Sequence, residues 1–523
     1  MPNRFSLSRS TRRAVLSTAA LCLAALAWAF SGDPRAATGQ VERASAPFEP
    51  GVVVVGWRRP SSAARADAAL ARSGIARTAE SDGSFSMVVL RSHVSVPAAV
   101  ARLRRRRDVA WAVPDYVAHA TASPPPSPAA SPFALDDPLL RARAAQQLPT
   151  PFEPDDPGSS GTPGGWQRLQ WNFVGPNSVN APQAWANLIA DGHPGGEGVV
   201  VAVLDTGVAY ANRYPFVRSP DFTAGEFVKG RDFVAHDRYP EDRNGHGTQV
   251  AGTIAEATDN GIGVTGLAYG VKVMPVRVLD SQGNGGASMI AEGIRWAVDH
   301  NAQIINLSLE FTAGTVRASS IPELIDAIHF ALSRNVLVVA ASGNEGAGQL
   351  SYPAKVGGVV AVGATTPDGC LGYYSNFGAG LTLVAPGGGA DADIPGDTHC
   401  HPNQTADADI YQETFANISS PRYRVFGLPA GYFGTSMAAP HVSATAALII
   451  ASGVLGPHPT VPAIIGQLTQ TAVKLGSAGG DARYYGAGLV DAAAATEPVG
   501  SSGPTGPTGT TGTSGPTGTT GST

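Results

Sequence analysis

One serine in this chain stands where a nucleophile could be activated. Ser436 follows Gly434-Thr435 and precedes the apolar run 438–451, which is typical of a buried helix. A hydroxyl at a helix start lies at the positive end of the helix dipole, close to free backbone N–H groups that can stabilise an oxyanion. A serine in such a position often serves only as an N-cap, so other residues must decide its role.

An acid and a histidine precede this serine along the chain. Asp205 closes the β-branched apolar run 199–204, which predicts a central parallel strand, and open α/β sheets place their sites where such strands end. His246 lies between two glycines where another helix is predicted to begin. Singly, Asp205 could be an N-cap and His246 a turn residue. Together they suit a serine nucleophile, because the serine needs a base and the base needs an acid to fix its tautomer.

These motifs resemble those of the subtilisin-like (subtilase) serine peptidases. The resemblance spans about 166–495 and is carried by four stretches: Asp205-Thr206-Gly207, His246-Gly247-Thr248, 338–346 around Asn344, and Gly434-Thr435-Ser436-Met437-Ala438. It implies that Asp205 orients the histidine, that His246 acts as general base and then as acid, and that Ser436 attacks the substrate carbonyl. Asn344 would donate its side-chain amide to the oxyanion. The implied activity is that of an endopeptidase forming an acyl-enzyme, with no cofactor for catalysis.

The same resemblance implies a set of substrate-binding residues. Two edges would grip an extended peptide through main-chain hydrogen bonds, and a third segment would wall the first specificity pocket. These residues are Gly283, Asn284, Gly285, Ser308, Leu309, Glu310, Ala341, Ser342 and Gly343. Glu310 departs from the family pattern, in which glycine is usual. We expect its carboxylate to favour basic or polar residues near the cleaved bond.

The stretch 258–264 resembles the calcium loop of the family, and calcium prefers several oxygen ligands in an irregular loop. The implied structural calcium ligands are Gln170, Asp221, Thr258, Asn260, Ile262 and Val264. The alternative is a tight surface turn that binds no ion.

The chain has three cysteines, and Cys22 lies in the apolar N-terminal segment. In an oxidising compartment Cys370 and Cys400 are a plausible disulfide, and two free buried thiols are the alternative. His399 and His401 flank Cys400, which could suggest a metal site. Three ligands that are adjacent in sequence cannot easily all reach one metal ion. A surface loop pinned to Cys370 is the preferred interpretation.

The N-terminus has the pattern of a secretory signal. Arginines precede the apolar stretch 14–30, and small residues follow it, so we assign 1–37 to a signal peptide and expect a secreted, extracellular or cell-envelope protein. A retained membrane anchor and a twin-arginine signal remain alternatives, although no stable membrane insertion is expected.

The rest of the chain divides by composition into four parts. Residues 50–118 predict a small α+β module that resembles the inhibitory propeptide of the same family, and 119–165 form a Pro- and Ser-rich linker in which maturation cleavage is expected. Residues 166–496 alternate strands and helices, which predicts an α/β fold with a doubly wound, mostly parallel sheet and helices on both faces. The tail 497–523 keeps a collagen-like Gly-X-Y period, but its triplets are few for a triple helix, so a flexible tail is the favoured interpretation.

Charge is distributed unevenly. Residues 50–118 hold eleven arginines against five acids, whereas the whole chain has a net charge of −5. A basic module ahead of an acidic body favours attraction between them, and the lack of interleaved aromatics argues against nucleic-acid binding. The expected partners are protein or peptide substrates and the chain's own propeptide, and we expect a monomer. Rival interpretations are an acid peptidase of the sedolisin type, an inactive peptide-binding homologue, and a surface protein with a collagen-like stalk.

Overall fold

The computed structural model describes residues 47–58, 68, 70, 74–81, 85–120, 149–395, 397–400, 408–476 and 481–498. The predicted signal peptide, most of the linker and nearly all of the Gly-X-Y tail lie outside the described residues, as do parts of the predicted α+β module between residues 59 and 84.

The central sheet of the described residues has seven parallel strands. They are β5 (Val200–Asp205), β6 (Arg231–Asp232), β7 (Lys272–Arg277), β9 (Ile304–Leu307), β11 (Leu337–Ala341), β12 (Val360–Thr365) and β13 (Leu383–Pro386). Their order across the sheet is β13-β12-β11-β9-β5-β7-β6. All neighbouring pairs run parallel, and the inner strands are rich in β-branched residues and buried on both faces. The chain order requires crossover connections between them, which the helices supply.

Helices cover both faces of this sheet. They are α2 (Ala181–Ala190), α3 (His246–Ala255), α4 (Ala287–Asp299), α5 (Pro322–Ser333), α6 (Thr435–Ser452), α7 (Val461–Gln470), α8 (Ala482–Tyr485) and α9 (Ala492–Ala495). Val201 and Val203 of β5 share one core with α3 and α6, whereas Ala202 and Leu204 share the other with α4 and α5. This period of two directs alternate residues of one strand to opposite cores. The predicted doubly wound α/β architecture is therefore confirmed.

A smaller antiparallel sheet precedes this unit. Its members are β1 (Phe48–Trp57), β2 (Ala76–Ser81), β3 (Phe85–Leu90) and β4 (Val109–Ala120), with α1 (Val96–Arg104) packed on one face. Val53, Val55, Val88 and Leu103 form part of its own apolar core. The last strand runs on past this core and pairs with two short strands of the larger unit, β8 (Asn284–Gly286) and β10 (Leu309–Glu310). The two parts of residues 47–498 are thereby joined by backbone hydrogen bonds.

The structure differs from the sequence prediction at both ends of the expected linker. Strand β4 continues through Ala120, and residues 149–165 pack on the larger unit instead of forming an irregular linker. Phe152 contacts the ring of Trp185 edge-on, and Pro154 accepts a hydrogen bond from the Trp166 indole at 3.0 Å. The ordered packing of this segment could not be predicted from its proline- and glycine-rich composition, because a few anchoring side chains fix it without any periodic pattern.

One further hairpin, β14 (Thr414–Phe415) with β15 (Phe426–Gly427), lies beside the start of α3. Within the described ranges, no helix is both long enough and apolar enough to cross a membrane.

Candidate active site

The acid and the histidine singled out from the sequence are in direct contact. Asp205 is the last residue of β5 and is fully buried, and His246 is the first residue of α3. The Nδ1–H of His246 donates to Asp205 Oδ1 over 2.8 Å. This bond leaves Nε2 as the basic nitrogen of the neutral ring, and Nε2 has no hydrogen-bond partner among the described residues.

Two glycines permit this approach of helix to strand. Gly245 precedes the helix with a φ of 112°, in the region that favours glycine. Gly247 packs so closely that an added Cβ would collide with the carbonyl oxygen of Gly207 and lie 3.1 Å from Asp205 Cβ. The glycines on both sides of His246 are therefore explained by geometry and not only by the turn that the sequence suggested.

A buried carboxylate that sequence reasoning missed holds these parts together. Asp242 Oδ1 accepts hydrogen bonds from Thr206 Oγ1 at 2.9 Å and from the backbone N–H groups of Asn244 and Gly245. Its Oδ2 accepts from the backbone N–H of Thr248 at 3.0 Å and from the Thr248 hydroxyl at 2.6 Å. Asp242 thus joins the end of β5 to the first turn of α3. Its position four residues before the histidine was the signal available in the sequence.

Ser436 lies in the first turn of α6, after Gly434 with a φ of 146°. Its hydroxyl donates to the carbonyl oxygen of Ser308 at 3.2 Å, while the Ser308 hydroxyl donates to the carbonyl oxygen of Ser436 at 2.8 Å. Helices α3 and α6 pack against each other, so the helix starts that carry His246 and Ser436 belong to one core. Among the described residues, His246 Nε2 accepts no hydrogen bond from the Ser436 hydroxyl. Catalytic hydrogen bonds of this kind often form only when substrate binds.

Asn344 is held beside this serine by its amide oxygen. Its Oδ1 accepts from the backbone N–H of Thr435 at 2.9 Å and from the Thr435 hydroxyl at 2.8 Å. Because the oxygen faces Thr435, the NH₂ end of the amide is directed away from it, as an oxyanion donor requires.

The electrostatic environment raises the pKa of His246. Burial acts to lower this pKa, but the charge of Asp205 and its hydrogen bond to the ring outweigh burial, and Asp242 adds to them. The imidazolium that would form during general-base catalysis is therefore stabilised by the site.

The predicted substrate-binding edges flank one strand of the N-terminal module. Residues Val117, Ala118 and His119 of β4 pair antiparallel with Gly286, Gly285 and Asn284 of β8. On the other side, His119 and Ala120 pair with Glu310 and Leu309 of β10. The backbone N–H of Ala120 donates to the carbonyl oxygen of Gly283 at 2.7 Å. The chain's own strand thus lies between the two edges that the sequence assigned to a peptide.

The predicted pocket wall follows β11. Ala341 ends that strand, and the Ser342 hydroxyl donates to the carbonyl oxygen of Asn376 at 2.9 Å. Gly343 has a φ of 114°, and a Cβ there would collide with the side chains of Asn376 and Glu310. Glu310 is buried, and its Oε1 accepts from the backbone N–H of Asn344 at 3.1 Å. Burial and the charge of Glu345 raise the pKa of Glu310 well above its usual range.

The loop expected to bind calcium surrounds Asp221. This carboxylate is fully buried and accepts from Asn260 Nδ2 at 2.8 Å and from the backbone N–H of Val264 at 3.0 Å. Burial raises its pKa to about 8. Among the described residues no cation pairs with it, and no hydrogen bond reaches the carbonyl oxygens of Thr258, Ile262 and Val264. A buried acid with unused carbonyls fits a bound Ca²⁺.

Gln170 fits that set less well. Its Oε1 accepts from the backbone N–H of Thr265 at 3.0 Å, and its Nε2 donates to the Thr265 carbonyl at 2.7 Å. Glu256 and Glu413, which sequence reasoning missed, are buried near Asp221, and burial together with the charges of Asp221 and Glu413 raises the pKa of Glu256 well above its usual range. Glu413 comes from the segment directly before β14, and no local pattern marked it.

Cys370 and Cys400 are joined by a disulfide with a Cα–Cα distance of 5.7 Å. Asp391 lies close to both sulfurs, so Cys370, Asp391 and Cys400 form a group of three residues of kinds that bind metal ions. It is the only such group among the described residues. Because both sulfurs are in the disulfide, the group offers no thiolates to a metal ion. His401 lies outside the described residues.

Comparison with known proteins agrees with this geometry. Residues 196–488 match the Subtilase family. The chain belongs to the subtilase family. Subtilisin Savinase of Lederbergia lenta is 39% identical over 330 residues, which cover 63% of this chain and 99% of that protein. Thermitase of Thermoactinomyces vulgaris is 34% identical over 279 residues, covering 53% of this chain and 82% of the relative.

A solved structure supports the subtilase fold as well. This match, described as proteases from Pseudoalteromonas arctica, is 30% identical, has a TM-score of 0.51, and covers 66% of this chain and 99% of its own. The predicted family and fold are thus confirmed, and this subtilase is a serine endopeptidase.

Proposed function

We propose that this subtilase is a secreted endopeptidase that hydrolyses proteins through an acyl-enzyme formed on Ser436. The observation that carries the proposal is the 2.8 Å contact between Asp205 and His246, at a site where Ser436 begins a helix beside Asn344. No cofactor is needed for this chemistry, because the acid, the base, the nucleophile and an oxyanion donor all come from the chain.

The reaction follows from these positions. His246 Nε2 takes the proton of Ser436 Oγ as the Oγ–C bond forms, and the carbonyl oxygen becomes an oxyanion facing Asn344. Nε2 then gives that proton to the amine as the C–N bond breaks. Water repeats the two steps on the ester, which releases the acid and restores the serine. Asp205 stabilises the imidazolium in both halves without taking its proton.

The N-terminal module acts as the enzyme's own inhibitor in this proposal. Its strand β4 fills the cleft through main-chain pairing, which is how a substrate would bind. Ala120 stands opposite Leu309, and Ser308, the residue before Leu309, contacts Ser436 through its carbonyl oxygen. We therefore predict that maturation cleavage occurs within a few residues after Ala120, in a part of the chain that lies outside the described residues.

Glu310 sets the preference at the first specificity pocket in this proposal. Its carboxyl group is buried beside the main chain that carries Asn344, with the side chains of Ser351 and Glu345 next to it. A basic or polar substrate side chain would add a partner for this carboxyl group. A cleavage profile unchanged by Glu310→Gly would refute this role, and Glu310→Gln tests whether the charge or the hydrogen bond matters.

Structural calcium and export complete the proposal. Asp221, the Asn260 side chain and the carbonyls of Thr258, Ile262 and Val264 would hold the ion, with Gln170 the least favoured ligand, and the ion would neutralise buried charge. The segment 1–37 would direct secretion, and the mature enzyme would act as a monomer. Of the rival functions, the sedolisin type is disfavoured because His246 stands where that class uses a carboxylate base.

A mechanism-based label tests the active site most simply. A fluorophosphonate probe should modify Ser436 in the matured enzyme, and the modified peptide can be located by mass spectrometry. The His246→Ala chain is first matured in trans by a trace of wild-type enzyme, so that β4 does not block the cleft. Labelling should then be lost in His246→Ala and kept in Ser452→Ala, a matched serine at the other end of the same helix. Equal labelling of His246→Ala would exclude the proposed base.

A further inference from the structure

Five exposed arginines gather on the surface beside the catalytic histidine. We name them the arginine patch: Arg213, Arg238, Arg243, Arg422 and Arg424. This concentration of positive charge is unexpected, because the chain as a whole has a net charge of −5. Among the described residues, none of the five forms an ion pair with a carboxylate.

Aromatic rings hold the patch in place. The Arg213 guanidinium lies 3.9 Å from the ring centre of Tyr239, and Arg238 lies 4.9 Å from the same ring and donates to its hydroxyl. Arg243 lies 5.6 Å from the ring centre of Phe216. A guanidinium stacked on a ring keeps its N–H groups in the plane pointing outward. The arginines are thus partly ordered before any partner binds.

Three chain segments meet to build the surface. The rings of Phe216 and Tyr423 are in tilted contact with their centres 4.8 Å apart, and the backbone N–H of Val217 donates to the Tyr423 carbonyl at 3.1 Å. Arg424, in the same turn as Arg422, lies 5.9 Å from the ring centre of Tyr214. The hairpin of β14 and β15 therefore brings two of the arginines to the other three.

The patch borders the active site. Arg243 is three residues before His246, and the hairpin is tied to the same turn by the bond from Thr414 Oγ1 to the Gly245 carbonyl at 2.7 Å. The Asn244 side chain donates to the Ser281 carbonyl at 3.0 Å, just ahead of the cleft strand β8. The segments that carry the arginines are thus tied both to the turn before His246 and to the residues that lead into the cleft strand β8.

Nearby acids leave the patch positive. Glu241 is buried, and its pKa is raised to about 7 by burial, against the opposing effect of Arg213 and Arg243. Asp237 accepts a backbone hydrogen bond from Tyr239 at 2.7 Å. Asp242 also lies close to Glu241, but it is buried and accepts its hydrogen bonds from Thr206, Asn244, Gly245 and Thr248. The five guanidinium groups therefore outnumber the nearby carboxyl groups, and the surface offers unpaired donors for carboxylates.

We propose that the arginine patch is an exosite that binds acidic segments of polypeptide substrates and so directs this protease to Asp- and Glu-rich proteins. The proposal rests on the proposed endopeptidase function and names a substrate class for it. Charges around a binding site mainly increase association rates, and this effect weakens as salt screens it.

Paired substrates test the exosite. Two internally quenched peptides share one cleavable core and differ in a flanking extension, six Asp and Glu residues in one and six Ser and Gly residues in the other, placed on either side of the core. For the matured enzyme, kcat/KM should be about 10-fold higher for the acidic peptide at low ionic strength. The advantage should fall toward unity at high salt.

Charge reversal supplies the variant. Arg422→Glu/Arg424→Glu should abolish or invert the acidic preference, because it changes the sign of one side of the patch. Arg334→Ala is the matched control: this exposed arginine also lies on a ring, 4.9 Å from the centre of Phe330, and it comes three residues before the start of β11. The control should keep the full preference.

The outcomes separate the two proposals. If the wild type cuts both peptides equally well, or if the charge-reversed variant keeps the preference, the exosite is wrong while the endopeptidase function stands. If neither peptide is cut, the proposed function fails, and anisotropy of the labelled acidic peptide with the Ser436→Ala chain then decides the exosite alone. Binding of a single-stranded oligonucleotide without binding of the acidic peptide would also overturn it.

Discussion

Asp242 offers the sharpest test of how this site is positioned. It is fully buried and accepts five hydrogen bonds, three of them from backbone N–H groups of Asn244, Gly245 and Thr248. The substitution Asp242→Ala would leave the buried N–H groups of Gly245 and Thr248, and the partly buried N–H of Asn244, without an acceptor. Each buried donor that loses its acceptor costs about 1–3 kcal/mol, whereas the partly buried one can turn to water, so we expect a loss of about 2–6 kcal/mol in the free energy of unfolding.

Asp242→Asn is the matched variant. It keeps the volume and one acceptor oxygen, so the N–H groups of Asn244 and Gly245 stay bonded while those at Thr248 face an amide NH₂. We expect a smaller loss of about 1–3 kcal/mol. Because Asp242 contributes to the raised pKa of His246, the acid limb of the pH–rate profile should also move to lower pH in this variant.

Urea unfolding in the Ser436→Ala background measures the stability change without self-digestion. The pH dependence of kcat/KM is measured with active enzyme. A change below about 1 kcal/mol for Asp242→Ala would refute the reasoning, since even one stranded buried donor should cost that much. An unshifted acid limb in Asp242→Asn would refute the electrostatic part alone.

Three other predictions concern the same machinery. Asn344→Ala should lower kcat by about 10²–10³-fold with little change in KM, because its amide would act on the oxyanion and not on the bound substrate. Steady-state kinetics on a peptide measure both constants, and an effect on KM instead of kcat would contradict this role. Activity should rise with pH, and the midpoint of the rise should lie above the pKa of an ordinary histidine, because the pKa of His246 is raised and the base must be neutral. A midpoint at or below the ordinary histidine pKa would count against the Asp205 contact. Docking of β4 should weaken as pH rises toward 6. Burial raises the pKa of Asp115 to about 6, so the docked form holds a proton at pH values where the undocked form has already released it. Hydrogen exchange of β4 in Ser436→Ala should show this weakening, and Asp115→Asn should remove the pH dependence.

Much of the fold was predictable because local pattern and final environment agree. The apolar run ending at Asp205 becomes a strand buried on both faces, and the run after Ser436 becomes a buried helix. These segments have no polar face, so their periodicity leaves few alternatives. The chain order of the acid, the histidine and the serine was sufficient to indicate the family.

The parts of the site that the sequence did not predict depend on contacts between distant segments of the chain. Asp242 looks like a turn residue in sequence, and only the folded chain shows that it bonds Thr206, which lies 36 residues away. Glu413 reaches the region of Asp221 from a segment with no periodic pattern, and the arginine patch is assembled from three such segments. Side-chain convergence of this kind leaves no local signal, because each residue alone is compatible with an ordinary surface turn.

The central claim is that Ser436 makes this chain a self-maturing endopeptidase. The most direct measurement is intact-mass spectrometry of the purified wild type and its Ser436→Ala variant, with casein digestion measured beside it. The account predicts that the wild type loses the N-terminal module by cleavage shortly after Ala120 and digests casein, while the variant keeps the module and does not. If the variant matures and digests casein like the wild type, Ser436 is not the nucleophile and the account is contradicted.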